Sequence, residues 1–267
     1  MFKPQRPNLK ATVVSIGQLS PEDKAKMFQL MQAYYDAITE PRFLSDLSNK
    51  DAVILLKDRG NTIQGFSTLV NVCVKVEGKR LRAVFSGDTV IDQRHWGQRA
   101  LGKPFLRYLF IERIKSPFAP LYWLLISKGY KTYLMMANHF SEHYPRFEKP
   151  TPARAKLILD SFYSTLYPGH YDPRTGLIEA QGEACRLKPG VTGIPIALLK
   201  SNPRIAFFQR RNPRWHEGAE MACIARMTLL MLFSYALKVM IIESVMKPLR
   251  KLSLHLFPLS KERDRDS

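Results

Sequence analysis

Cysteine is scarce in this sequence and badly spaced for chemistry. Three occur in 267 residues, Cys73, Cys185 and Cys223. The number is odd and no pair has C-x-x-C spacing, which argues against a disulfide framework or a zinc site and makes a reducing compartment the default. Acidic side chains are also in deficit. There are 23 Asp and Glu against 41 Lys and Arg, a formal net charge of +18. A surface of that sign favours acidic partners: nucleic acid, anionic lipid, a phosphorylated cofactor or an acidic protein. The first residues, MFKPQRPNLKATVVSIG, have basic side chains but no apolar run, so they do not read as a secretory signal. There is no Walker A motif, no G-x-S-x-G, no G-x-G-x-x-G and no internal repeat. The six histidines (His95, His139, His143, His170, His216 and His255) form no H-E-x-x-H or other metal spacing. No RRM, helix-turn-helix or zinc motif accompanies the positive charge, so nucleic acid is the least favoured acidic partner.

Apolar content is ample, at 45% of residues with 11% aromatic, enough for a sizeable core and against disorder. Residues 1–10 read as a tail and ATVVSI (11–16) as a short strand. Ser20 as N-cap, Pro21 at the first helical position and Glu22-Asp23 in the first turn predict a helix, with an apolar stripe of Met27, Leu30, Met31 and Tyr34. A second short helix is expected in EPRFLSDLSN. Strands follow at 51–58, at 62–78 with a kink at Gly65, and at 79–92. The stretch VIDQRHWGQRALGKPFLRYLF (90–110) then passes from strand through two glycines into a helix over about 103–115. Another strand at 119–129 and another helix at 130–140 come next. Residues 151–168 read as helix, Pro173–Gly176 as a turn into a strand, the two Asn-Pro pairs at 202 and 212 as turns, and Met221–Met227 as a last strand.

This order, with SGDTVIDQRHWGQRALG at the third strand of its run, resembles the GNAT superfamily of acyltransferases over roughly residues 11–148. The resemblance implies an α/β (α+β) fold: a mixed, mostly antiparallel central sheet flanked by helices. The chain would add a C-terminal extension ending in an apolar helix. In that family an [RQ]-x-x-G-x-[GA] loop after the fourth strand binds the phosphates of the acyl carrier through backbone amides. Here Arg94 and Gly97 fit the pattern, Arg99 stands where Gly or Ala is expected, and Gly102 falls three residues later. Ser86, Arg94, Gly97, Gln98, Arg99, Gly102 and Lys103 are therefore the expected carrier-binding residues. A helix start suits this role because its free N–H groups and partial positive charge favour phosphate. A strand–turn–helix corner with incidental arginines is the plainer alternative.

The resemblance also implies which residues would act. Acylation of an amine requires loss of its proton, polarisation of the thioester oxygen and protonation of the departing thiolate. An amide near Ser86–Thr89 is the expected polarising group, Asp88, His139 or His143 the expected base, and Tyr144 the expected acid. Arg94, Arg99, Lys103 and Arg107 could meet an acidic acyl-carrier protein whose phosphopantetheine carries a single phosphate. Downstream, FF…RNP…G-x-E (Phe207-Phe208, Arg211-Asn212-Pro213, Gly218-Ala219-Glu220) looks like a pattern in other GNAT-like sequences to which no activity attaches.

The expected organisation is a tail (1–10), a carrier-binding core (11–150), a half completing the acyl and acceptor site (151–226), an apolar amphipathic segment (227–258) and a polar tail (259–267). MTLLMLFSYALKVMIIESVM (227–246) is long enough to span a bilayer, but Lys238 and Glu243 bring its insertion balance near zero. A helix on the core or in the membrane interface is preferred, with Lys247, Arg250 and Lys251 available to anionic lipid. The expected function is N-acyl transfer, with a fatty acyl group favoured, from acyl-carrier protein or acyl-CoA to an amine of an amino acid, peptide or small molecule, without a metal. The expected location is the cytoplasm or the inner face of the membrane. The alternatives are acetyl-CoA-dependent acetylation and a non-catalytic domain binding carrier protein or membrane.

Overall fold

The computed structural model describes residues 9–96, 100–179, 193–228 and 230–231. The chain divides into two units, 1–226 and 227–267, and the fold given below is that of the first. The apolar segment expected at 227–246 lies almost wholly outside the described residues. Among the described residues no helix is long and apolar enough to cross a membrane.

Among the described residues, nine strands form one open, mostly antiparallel sheet flanked by helices. In chain order the elements are β1 (Lys10–Ser15), α1 (Pro21–Tyr34), α2 (Glu40–Ser48), β2 (Ala52–Lys57), β3 (Ile63–Val76), β4 (Lys79–Ile91), α3 (Gly102–Ile114), β5 (Leu121–Ser127), α4 (Tyr130–Ala137), β6 (His143–Tyr144), α5 (Ala153–Leu166), β7 (Tyr171–Asp172), β8 (Leu177–Ile178), α6 (Ile196–Ser201), α7 (Pro203–Arg211) and β9 (Glu220–Met227). The sheet order is β1-β2-β3-β4-β5-β9-β8-β7, with β6 also paired to β9. β4 and β5 are parallel, while the other registers described are antiparallel.

The local signals act as expected at α1, where the Ser20 hydroxyl accepts from the Asp23 amide at 3.0 Å and Pro21 occupies the first turn. Gly65 is required by close approach, because a Cβ there would lie 3.0 Å from the Val90 carbonyl and 3.1 Å from Leu56 Cδ1. The β2–β3 register shifts beside it, between Leu56 and Lys57, which is the kink anticipated from the glycine. Asn202-Pro203 is a difference. It opens α7 instead of making a turn, since the Asn202 side chain accepts from the Arg204 amide at 3.0 Å and Pro203 needs no N–H in a first helical turn.

Among the described residues, two apolar cores cover one face of the sheet. Helices α1 and α2 bury Met27, Met31, Phe43 and Leu47 against Val53, Leu55, Phe66 and Val90. Helix α5 buries Ile158, Leu159, Phe162 and Tyr163 against Val72, Phe85, Leu124 and Ile224. Helix α3 packs on the opposite face, where Phe105 meets Trp123 at 4.9 Å and Glu112 pairs with Arg82 at 2.8 Å. Tyr163 inserts its hydroxyl between β5 and β9. It receives the amides of Leu125 (3.0 Å) and Cys223 (3.3 Å), and the carbonyl oxygens of both residues lie 2.8 Å away.

Candidate functional site: a bulged strand between two cores

β4 carries a β-bulge in its second half. Leu69 of β3 faces Ser86, whereas Ser67 faces Thr89, so Gly87 and Asp88 together oppose the single residue Thr68. A bulge bends its strand and ends regular pairing. The consequence is visible on the other edge: β4 pairs with β5 only from Arg82 to Ser86, although it stays on β3 as far as Ile91. The stretch Gly87–Ile91 is thus left with its β5-side edge outside the ladder, and the sheet opens there.

Glycine is needed at the bulge. A Cβ at Gly87 would lie 2.7 Å from Thr68 Oγ1 and 3.4 Å from Phe85 Cε1, with Lys50 Nζ at 3.8 Å. Thr68 Oγ1 is buried and has no hydrogen-bond partner among the described residues, so its position follows from the space the glycine leaves. Phe85 belongs to the α5 core and Val90 to the α1–α2 core, so the bulge lies between the two.

Titratable groups gather at this gap. Asp88 is half-buried. Glu220, the first residue of β9, pairs with Lys128 at 3.4 Å, with 16% of its side chain exposed. Burial raises the Glu220 carboxyl above the ordinary glutamate range; Lys128 opposes that rise and the negative charge of Asp88 adds to it. Tyr167, just past α5, lies edge-on to Phe85 at 6.1 Å. Burial pushes its phenol well above the usual value, with Glu220, Asp88 and Asp46 all acting in the same direction. Lys128 also sits 5.5 Å over the Tyr35 ring. The arrangement contains a carboxylate made more basic by its surroundings, a second carboxylate whose charge acts on it, and a phenol that stays protonated.

Glu220 is placed by the residues around Asn212. Asn212 is fully buried, and its Nδ2 donates to the Ala219 carbonyl at 2.7 Å. Gly218 takes φ 101°, the left-handed region that favours glycine. The RNP…G-x-E pattern is therefore a clasp: the asparagine holds the loop that launches β9, and the glutamate is the first residue the loop delivers. Sequence reasoning saw the pattern and did not single out Glu220.

The residues expected from the sequence fall in three places. Asp88 is in the gap. Ser86 is the last β4 residue paired with β5, and its hydroxyl accepts from Trp123 Nε1 at 2.9 Å. Arg94 follows β4 and is held by Asp92 at 2.9 Å, while its side chain stays 74% exposed. Gly102 opens α3 without a side-chain cap, with Lys103 exposed beside it and open space around Gly102. Gly97, Gln98 and Arg99 lie outside the described residues. His139, His143 and Tyr144 are elsewhere. His139 is exposed, with Nδ1 2.9 Å from the Met135 carbonyl oxygen at the end of α4. His143 and Tyr144 form β6, which pairs with Ala225 and Ile224, so β9 and β5 stand between them and the open part of β4. His143 is buried, its Nδ1 is 2.7 Å from the Phe140 carbonyl oxygen, and burial lowers its pKa.

No protein-family model matches the chain, and no curated protein matches it in sequence. Solved structures resemble about half of it. A probable N-acyltransferase from Enterococcus faecalis V583 is 16% identical over 50% of this chain and 32% of its own, with a TM-score of 0.38. A GNAT family N-acetyltransferase from Escherichia coli in complex with CoA is 15% identical over 51% of this chain and 71% of its own, with a TM-score of 0.34. A glucosamine-6-phosphate N-acetyltransferase from Arabidopsis thaliana is 15% identical over 54% of this chain and 99% of its own, with a TM-score of 0.37. The chain spans about a third of the first of these.

Proposed function

We propose that this chain is a GNAT-type N-acyltransferase that moves an acyl group from a phosphopantetheine thioester to an amine, with the reaction centred on the opened part of β4. The observation that carries the reading is the bulge at Gly87–Asp88 with Glu220 and Tyr167 beside it. The acyl carrier would enter between the diverging β4 and β5, its phosphate end toward the uncapped start of α3 and Lys103. The unpaired edge of Gly87–Ile91 offers backbone donors of the kind that polarise a thioester oxygen.

The amine arrives as an ammonium ion attracted by Asp88 and Glu220. Glu220 takes one proton, the amine nitrogen attacks the thioester carbon, the carbon–sulfur bond breaks, Tyr167 protonates the departing thiolate, and the remaining excess proton on the new amide nitrogen passes to the Tyr167 phenolate. A carboxylate raised by burial suits the base, because proton transfer is most effective when its pKa lies nearer the operating pH. Tyr167, which stays protonated, is the donor beside Phe85 available to the thiolate. A fatty acyl chain on an acidic carrier protein is the donor we favour, since the +18 charge suits an acidic partner.

The purified chain should release free thiol from acyl-carrier protein or acyl-CoA when amines are supplied. Glu220→Gln should lower kcat by about 100-fold, the upper part of the range spanned by a positioned base being larger still. No thioester turnover with any donor, or turnover that Glu220→Gln leaves unchanged, would overturn the proposal. A preference for acetyl-CoA over long chains would remove the fatty-acyl part alone.

A further inference from the structure

At the other end of β5 lies a second concavity, of about 230 Å³. Tyr122, Tyr144 and Ile158 wall it, and Glu142, Arg154 and Arg226 stand at its edge. Tyr122 is the second residue of β5, whereas the Glu220–Lys128 pair lies just past the last. The two places are thus separated by about six residues of strand, roughly 20 Å.

The two arginines are weakly held. Arg226 approaches Glu142 at 3.7 Å and Arg154 approaches Glu77 at 3.8 Å, with every partner more than 40% exposed. Both separations exceed a charge-assisted hydrogen bond, which is about 2.7–2.9 Å. Pairs this exposed contribute little. By contrast Arg204 meets Glu148 at 2.7 Å and Arg113 donates to three loop carbonyls. Arg226 and Arg154 both bear on Tyr122: burial raises its phenol, and each guanidinium pulls it back. The two positive charges therefore converge on the aromatic wall of one concavity, with planar donor forks free to take a carboxylate or phosphate in bidentate fashion.

The geometry points to a binding site for a small organic anion, its charged head on Arg154 and Arg226 and its apolar body between Tyr122 and Tyr144 over Ile158. The volume is below that of drug-sized sites, about 300–1,000 Å³, so a single ring or a short branched chain fits. Glu142 is the native competitor for Arg226, and the ligand displaces it. This site does not depend on the acyl-transfer reading.

The test titrates benzoate, phenyl phosphate and neutral benzamide into the full chain at low salt, followed by ligand-observed NMR and calorimetry. Benzoate or phenyl phosphate should bind saturably, and whichever binds tighter identifies a carboxylate or a phosphate head. Benzamide should bind at least tenfold more weakly. Arg154→Gln with Arg226→Gln should weaken the anion at least tenfold, Glu142→Gln should tighten it, and Arg59→Gln, an exposed arginine elsewhere, should leave it unchanged. Thermal unfolding of each variant separates lost binding from lost folding. Equal binding of benzamide, an equal effect of Arg59→Gln, or no saturable binding of either anion would overturn the inference.

Discussion

Asp88, Lys128 and Glu220 form a set whose charges act on one proton. Glu220 must be ionised to serve as a base, so kcat/KM should rise with pH through its raised pKa. Lys128 favours the ionised form, and Asp88 disfavours it. Lys128→Met should therefore move the acidic limb of the rate profile to higher pH, and Asp88→Asn should move it to lower pH. Opposite displacements in otherwise similar pH profiles check the assignment; a common direction would remove Glu220 from the base role. Gly87 offers a steric test at the same scale. Gly87→Ala drives a methyl into Thr68 Oγ1 and should cost about 1–3 kcal/mol, the range for overpacking. Because that hydroxyl has no partner, Thr68→Ala should restore most of the loss, read as a denaturant midpoint.

At the scale of elements, hydrophobic runs and caps made much of the sheet legible. The strand expected at 79–92 is β4 at Lys79–Ile91, and the helix expected from Ser20 is α1. The bulge was not legible, because it depends on the register of β4 against β3, a pairing that no local pattern encodes. The same limit applies to the place of His143 and Tyr144. They were expected from the family resemblance, and they lie on β6, which is only two residues long and whose place is set by β9, some 80 residues on. Glu220 was within a recognised pattern, yet its meaning required the buried Asn212 contact. Asn212→Ala should cost about 1–3 kcal/mol for the carbonyl left unpaired. It should also lower kcat more than KM, because the loop that sets Glu220 is loosened while carrier binding is untouched.

Over the whole molecule, the charge excess hides local bonds that work against it. Burial alone would raise the Glu148 carboxyl, but Arg204 and Arg146 hold it down to about 2. A carboxylate depressed on folding contributes stability that is complete above its unfolded pKa and is lost as pH falls toward the folded value. Acid unfolding should therefore steepen below about pH 4.5, and Glu148→Gln should flatten that part of the curve. Tyr163 makes a different kind of global link. Its single oxygen serves the amides of Leu125 and Cys223, so one phenol from α5 acts as the rung between the half of the sheet bearing β4 and the half bearing Glu220. Tyr163→Phe would leave the seam without its rung. Deuterium would then enter the Leu125 and Cys223 amides early in exchange, while the β2–β3 amides keep their protection, and the strand that delivers the glutamate would breathe independently of the strand proposed to receive the thioester.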